Sequence, residues 1–248
     1  MKAIIIAAGS GKRISKNVKN VPKSMVLVNG KPIIKYQISV LKQIGIDDII
    51  VITGPHSEKF LLENIFYIND QKYSEHDILG SLMEAKKFLK NDVLILYSDI
   101  IFEKSIVQQI LKSKGDISIA VDMNWEKMYE GRTEHPVSEA ENVQLTKMKK
   151  ISRIKKNIKN KNNDVGEFLG IMKMTKKGGN QFVHEYEKLV KNHKGNFHEA
   201  TSISKAYVTD MIQELVELKI NVEPVLISGK WCEIDTMQDL KNAEKIFS

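Results

Sequence analysis

The chain has 248 residues, 42% of them hydrophobic and 28% charged, with 38 Lys and Arg against 31 Asp and Glu for a net charge of +7. That length suits one large α/β domain or two small ones, and the ordinary balance of apolar and charged residues excludes wholesale disorder. A lone Cys232 has no partner for an internal disulfide, which favours a reducing cytoplasm, and no apolar run nears the ~18 residues of a membrane helix.

The chain opens with the apolar run Ala3 to Ala8, too short for the core of a secretion signal and followed by Lys12, Arg13, Lys16 and Lys19. It reads as a buried central strand ended by Gly9-Ser10-Gly11. Pro32 to Ile44 places Ile33, Ile34, Ile38, Leu41 and Ile44 at helical spacing, and Gly45 supplies the stop. Strands over 48–53, 65–69 and 92–97 alternate with helices over 56–63 and 80–89. That alternation predicts right-handed βαβ crossovers and an α/β fold with a Rossmann-like, doubly wound, mostly parallel sheet. After residue 115 the rhythm changes. Strands over 116–122, 143–149, 151–156 and 165–175 follow, with no helix among the last three, so antiparallel strands are expected at the sheet edge, covering part of the site. Helices over 178–193 and 201–219, a strand over 222–227 and a helix over 237–247 complete the pattern. No linker or repeat divides it, and 1–248 reads as one domain.

Ala7-Ala8-Gly9-Ser10-Gly11-Lys12-Arg13 follows the first strand, and Pro22-Lys23 comes after a short loop. Such a glycine turn can present backbone N–H groups to an anion, with Lys12, Arg13 and Lys23 as the local cations. Alone, it reads equally as a structural connection. The Walker spacing is absent, and Ile14 stands where a dinucleotide fingerprint needs glycine. Asp99 lies just past the carboxyl end of an apolar strand, while Glu233 and Asp235 share one face if Trp231 to Thr236 is extended. Carboxylates at strand ends suit a Mg²⁺ that bridges phosphate oxygens, although Asp99 also reads as a helix cap. Residues 125–141 are rich in polar groups. Arg132 and His135 suit an anionic group, and Trp125, Tyr129 and carboxylates such as Glu134 suit a cationic one, so a zwitterion satisfies both. A surface loop with Trp125 packed on the sheet is the alternative.

The Ala-Ala-Gly-Ser-Gly-Lys-Arg turn, Pro22-Lys23 and Gly30-Lys31-Pro32-Ile33-Ile34 together resemble the nucleotidyltransferases that activate sugar phosphates and related phosphoryl compounds. Arg132-Thr133-Glu134-His135-Pro136, with the ending Glu233-Ile234-Asp235-Thr236, is similar to the cytidylyltransferases of 2-aminoethylphosphonate and phosphocholine. The resemblance implies that Ala7, Ala8, Gly9, Ser10, Gly11 and Lys12 wrap CTP, with Arg13 on its phosphates and Lys23 bridging the reacting phosphoryl groups. It implies Asp99 and Asp235 as Mg²⁺ ligands, Glu233 as a substrate or metal-water contact, and Gly80 and Ser81 beside base and ribose. About 1–115 would hold the nucleotide and about 116–248 the acceptor. The implied reaction joins CTP to a small phosphonate or phosphomonoester with release of pyrophosphate, in phosphonate, headgroup or surface-polymer biosynthesis. The loop between Arg13 and Pro22 departs from the family's Leu-x-Pro-Leu-Thr. A sugar 1-phosphate enzyme and a non-catalytic nucleotide sensor are the alternatives. Neither nucleic acid nor membrane is an expected partner, and a homodimer is compatible with the chain. The charge itself is local: Lys147 to Lys161 carries +8 and no acid, leaving the remainder at −1.

Overall fold

The computed structural model describes residues 1–9, 14, 21–159, 162 and 164–248. The first half contains β1 (Lys2–Ala7), β2 (Leu27–Val28), β3 (Lys31–Pro32), α1 (Ile33–Gln43), β4 (Ile49–Thr53), β5 (Phe66–Asn69), α2 (Ile78–Glu84), α3 (Lys86–Leu89), β6 (Val93–Tyr97), β7 (Ile100–Phe102) and α4 (Lys104–Leu111). The second contains β8 (Ile117–Asp122), β9 (Glu141–Leu145), β10 (Ile151–Lys156), β11 (Val165–Met174), α5 (Lys176–Asn192), α6 (Val208–Glu217), β12 (Val222–Leu226), β13 (Trp231–Glu233) and α7 (Met237–Ile246).

Strand β1 is apolar on both faces because both are covered. It runs parallel to β4 and β6, with Ile5 opposite both Val51 and Leu96, and β5 adds beyond β4 in the same direction. Side chains alternate across such strands. Ile4, Ile6, Ile50 and Ile95 therefore pack with Leu79, Leu82, Phe182 and Met211 of α2, α5 and α6. Ile5, Val51, Leu94 and Leu96 pack on the other face with Ile34, Ile38, Leu41 and Ile106 of α1 and α4. A third cluster joins the early residues Val26, Val28 and Ile33 to the late residues Cys232, Ile234, Leu240 and Ala243.

The sheet order is β10-β9-β11-β6-β1-β4-β5, with β8 also on β11 and β12 on β8. The antiparallel strands add at the β6 edge of the parallel set β6-β1-β4-β5, where β11 pairs directly with β6. Gly170, at φ +65°, sits where the β11 register shifts, and a Cβ there would stand 2.4 Å from the Tyr97 ring. Four predicted elements change, the first being the helix expected over 80–89, which divides at Ala85 into α2 and α3. Residues 56–63 give one 3₁₀ turn, Ser57–Lys59, because Phe60, Leu61 and Leu62 are consecutive and cannot form one helical face; Leu61 is 86% exposed. The helix expected over 201–219 begins at Val208, where Asp210 caps it by accepting from Tyr207 N. The strand expected over 143–149 is β9, ended by a turn in which Thr146 N donates to Lys150 O and Lys149 has φ 57°. No helix of the described residues is long and apolar enough to cross a membrane.

Candidate active site

A short ladder unseen in the sequence builds the centre of the site. Strands β7 and β13 pair antiparallel, Ile100 opposite Glu233, and Ile234 N donates to Asp99 O at 2.8 Å. This sets Asp99 and Asp235 side by side. Thr236 and Asp239 form a capping box on α7, and Asp239 Oδ2 also accepts from Asp235 N at 3.1 Å, fixing the backbone that carries Asp235. Lys23 leaves a 3₁₀ turn after Pro22, and its Nζ donates to Asp99 Oδ2 at 2.7 Å and to Asp235 Oδ1. Burial alone would lower the lysine's pKa, but Asp99, Asp235 and Glu233 outweigh it and hold the ammonium above its usual range. Two carboxylate oxygens already share one cation here, an oxygen pair that fits Mg²⁺. His135 is buried, its Nδ1 is 3.0 Å from Asp235 Oδ2 but out of line for a hydrogen bond, and Nε2 is 3.8 Å from Glu233 Oε2. Burial, then Asp235 and Asp99, pushes Glu233 up to about 7.

A cavity of about 520 Å³ opens over these groups, with Ala7, Ala8 and Gly9 at the carboxyl end of β1 in its wall. That is where an open α/β sheet binds its ligand. Sheet order gives the cavity two ends. On the β4–β5 side, the fully buried Asp70 accepts from Ser81 Oγ at 2.7 Å and from Lys72 N at 3.0 Å, and meets His76 Nε2 at 2.8 Å. His76 and Ser81 line the cavity; Gly80 lies beneath the His76 ring, which a Cβ would approach to 2.3 Å. On the β11–β9–β10 side stand Glu139, Glu141, Lys156, Glu167, Phe168 and Tyr207. Burial pushes Glu141 up to about 8 against the pull of Lys156. Burial, then the charge of Glu233, pushes Glu167 well above the carboxylate range. Tyr129 donates its hydroxyl to Glu167 Oε1 at 2.6 Å, whereas Oε2 is buried with no hydrogen-bond partner among the described residues. Lys156 donates to Glu139 at 2.9 Å and lies 4.6 Å from the Tyr207 ring centre.

The family model of the MobA-like NTP transferase domain matches residues 3–143, more than half of the chain. The chain belongs to this family. Among its relatives, the CTP:phosphoglutamine cytidylyltransferase of Campylobacter jejuni is 32% identical over 255 residues, covering 97% of this chain and 98% of that one. The choline-phosphate cytidylyltransferase of Streptococcus pneumoniae is 38% identical over 117 residues, 46% of this chain and 51% of that one. The solved inositol-1-phosphate CTP transferase of T. maritima superposes with a TM-score of 0.74 at 20% identity, over 99% of this chain and 95% of that one, a likeness of fold.

Within the frame of a MobA-like transferase, the structure brings Ala7, Ala8, Gly9, Lys23, Ser81, Asp99, His135, Glu233 and Asp235 to one cavity. Ser10, Gly11, Lys12 and Arg13 lie outside the described residues. Four residues expected at the acceptor stand elsewhere. Trp125 is in the core, its Nε1 donating to Val165 O at 3.0 Å, and Tyr129 supports Glu167 from behind. Arg132 is held by Asp239 at 2.8 Å, stacks 4.6 Å from the Tyr129 ring centre, and brings one terminal nitrogen to 3.6 Å from Glu233 Oε2 from behind the cavity wall. Glu134 accepts from Gln238 N at the surface, at 3.3 Å. Glu167, Asp70 and His76 escaped sequence reasoning, while Glu141 closes the polar segment 125–141 and Lys156 belongs to the basic run Lys147 to Lys161. The available signal was a single carboxylate inside the apolar stretch Val165-Gly166-Glu167-Phe168-Leu169, a position that burial makes costly without a purpose.

Proposed function

We propose that the chain transfers the cytidylyl group of CTP to the phosphoryl oxygen of a small acceptor bearing a primary ammonium, releasing pyrophosphate. The observation that carries this reading is the far end of the cavity, where Glu167 is buried, Glu141 is half-buried and Glu167 Oε2 lacks a donor among the described residues. A primary ammonium supplies three N–H donors and the charge that would ionise both carboxyls. Phosphocholine has no N–H to offer, which favours aminoethylphosphonate or phosphoglutamine over it. Lys156 adds a cation suited to the carboxylate of an amino-acid acceptor. The cytidylyl donor rests on the names of the Campylobacter and pneumococcal relatives.

The attacking oxygen belongs to a phosphonate or phosphate and is anionic at neutral pH, so the step needs no general base. It forms a bond to the α-phosphorus of CTP as the bond to the β-phosphate oxygen breaks, and pyrophosphate carries the electron pair away. Lys23, ammonium throughout, draws the two anions together and offsets the charge that develops between them. Mg²⁺ held by Asp99 and Asp235 would neutralise phosphate charge. Arg13 and Lys12 keep the phosphate-binding role that their motif implies, with about 1–115 serving the nucleotide and about 116–248 the acceptor. We place the reaction in a reducing cytoplasm.

A pyrophosphate-release assay tests this with CTP and UTP against phosphoglutamine, aminoethylphosphonate, phosphocholine and glucose 1-phosphate. Turnover is expected with CTP and the acceptors that carry a primary ammonium. Turnover confined to glucose 1-phosphate, or binding of CTP without turnover on any acceptor, overturns the reading.

A further inference from the structure

The cavity's other end holds a pair that the chemistry at phosphorus leaves unused. We infer that His76, set in one tautomer by Asp70, reads the exocyclic position of the pyrimidine and thereby selects cytosine over uracil. This rests on the nucleotide reading given above.

The argument starts with Asp70, whose carboxylate is fully buried and receives Ser81 Oγ and Lys72 N as donors. Its Oδ2 also stands 2.8 Å from His76 Nε2, and a carboxylate oxygen can only accept. Nε2 therefore carries the proton. In the neutral ring the remaining nitrogen, Nδ1, is then a lone-pair acceptor. Nδ1 has no hydrogen-bond partner among the described residues, and His76 lines the cavity. The ring is tethered by its contact with Asp70 and lies against Gly80, where a Cβ would come within 2.3 Å of it. A fixed acceptor at this end matches the 4-amino group of cytosine and meets lone pair to lone pair the 4-oxo group of uracil.

This assignment makes an unusual demand on the Asp70→Asn variant. Asparagine is nearly isosteric and can still accept from Lys72 N, but its amide would donate to Nε2. The proton must then move to Nδ1, turning the reader from acceptor into donor, and the preference should swing toward uracil. Tautomer reversal by an Asp→Asn change beside a histidine is the known behaviour of a catalytic triad. A purely structural Asp70 would lower affinity for both nucleotides alike.

The test is calorimetric binding of MgCTP and MgUTP, without any acceptor, to wild type, Asp70→Asn and His76→Phe. His76→Phe keeps an aromatic ring on Gly80 while removing both nitrogens, so it decides the question even if Asp70→Asn fails to fold. Wild type should prefer CTP by about tenfold, the effect of one hydrogen bond exchanged for a repulsion. His76→Phe should bind the two nucleotides nearly equally, and Asp70→Asn should favour UTP. A folded His76→Phe that keeps the wild-type ratio overturns the inference and leaves the cytidylyltransferase reading standing. A wild type that binds neither nucleotide removes both.

Discussion

Glu141→Gln separates the cost of a carboxyl in the cavity wall from its proposed use in holding the acceptor. The unfolded chain releases the Glu141 proton near 4.5 and the folded chain near 8, so between these values the folded state binds more protons and loses stability as pH rises. The full gap corresponds to a ceiling of about 5 kcal/mol, of which about 3 is expressed at pH 7. The carboxyl faces a cavity open to water and has Lys156 nearby, which screens the penalty to roughly 1–2 kcal/mol. Glutamine removes the titration while retaining shape, so thermal unfolding at pH 8 should rise by about 3–6 °C for a chain of this size. At pH 4, below both values, the two proteins should melt together. The same variant should bind an ammonium-bearing acceptor about tenfold more weakly in the pyrophosphate-release assay, because one of two paired charges is gone. An unchanged melting temperature at pH 8, or a gain equally large at pH 4, would refute this account of Glu141.

Lys23→Ala and Asp99→Asn should each lower pyrophosphate release by about 10²–10³-fold with the far-ultraviolet circular dichroism unchanged, the scale on which a preorganised charge contributes; near-normal turnover in either contradicts the mechanism. Gly179→Ala should destabilise by about 1–3 kcal/mol in urea unfolding, because its Cβ would stand 1.7 Å from the backbone oxygen of Leu89, which cannot swing away as a side chain could. Burial, then Asp239, pushes the Cys232 thiol up to about 12, so it should resist a disulfide reagent at pH 8 in the native protein and react fully in denaturant.

How legible each part was in the sequence follows from how local its determinants are. Strand β1 and helix α1 were plain because a parallel strand covered on both faces is continuously apolar, and an amphipathic helix repeats its stripe within a dozen residues. Lys23, Asp99 and Asp235 were found at strand ends and by motif. The ladder that joins them was not, since β7 and β13 are three residues each and meet only across the whole chain. The segment holding Arg132 reads as a binding loop because it concentrates polar groups. Its partners, Asp239 and Gln238, lie more than a hundred residues away, so no local pattern reveals that Arg132 is already paired. Glu167 was hidden for the opposite reason: strand propensity absorbs an isolated glutamate, and only the assembled sheet shows it flanking one cavity with Glu141.

The third apolar cluster ties the completion of the site to the direction of protein synthesis. Asp235 lies 212 positions after Lys23, and Ile234, Leu240 and Ala243 cover Val26, Val28 and Ile33. Until residues 231–243 have been made, β1, β4 and β6 are all available but Lys23 has Asp99 without Asp235. The unfinished chain also leaves a sticky patch on its surface. The residue that completes the cation cradle therefore arrives with the residues that hide this patch. A chain lacking residues 231–243 would thus lose Asp235 from the cradle and expose Val26, Val28 and Ile33 together.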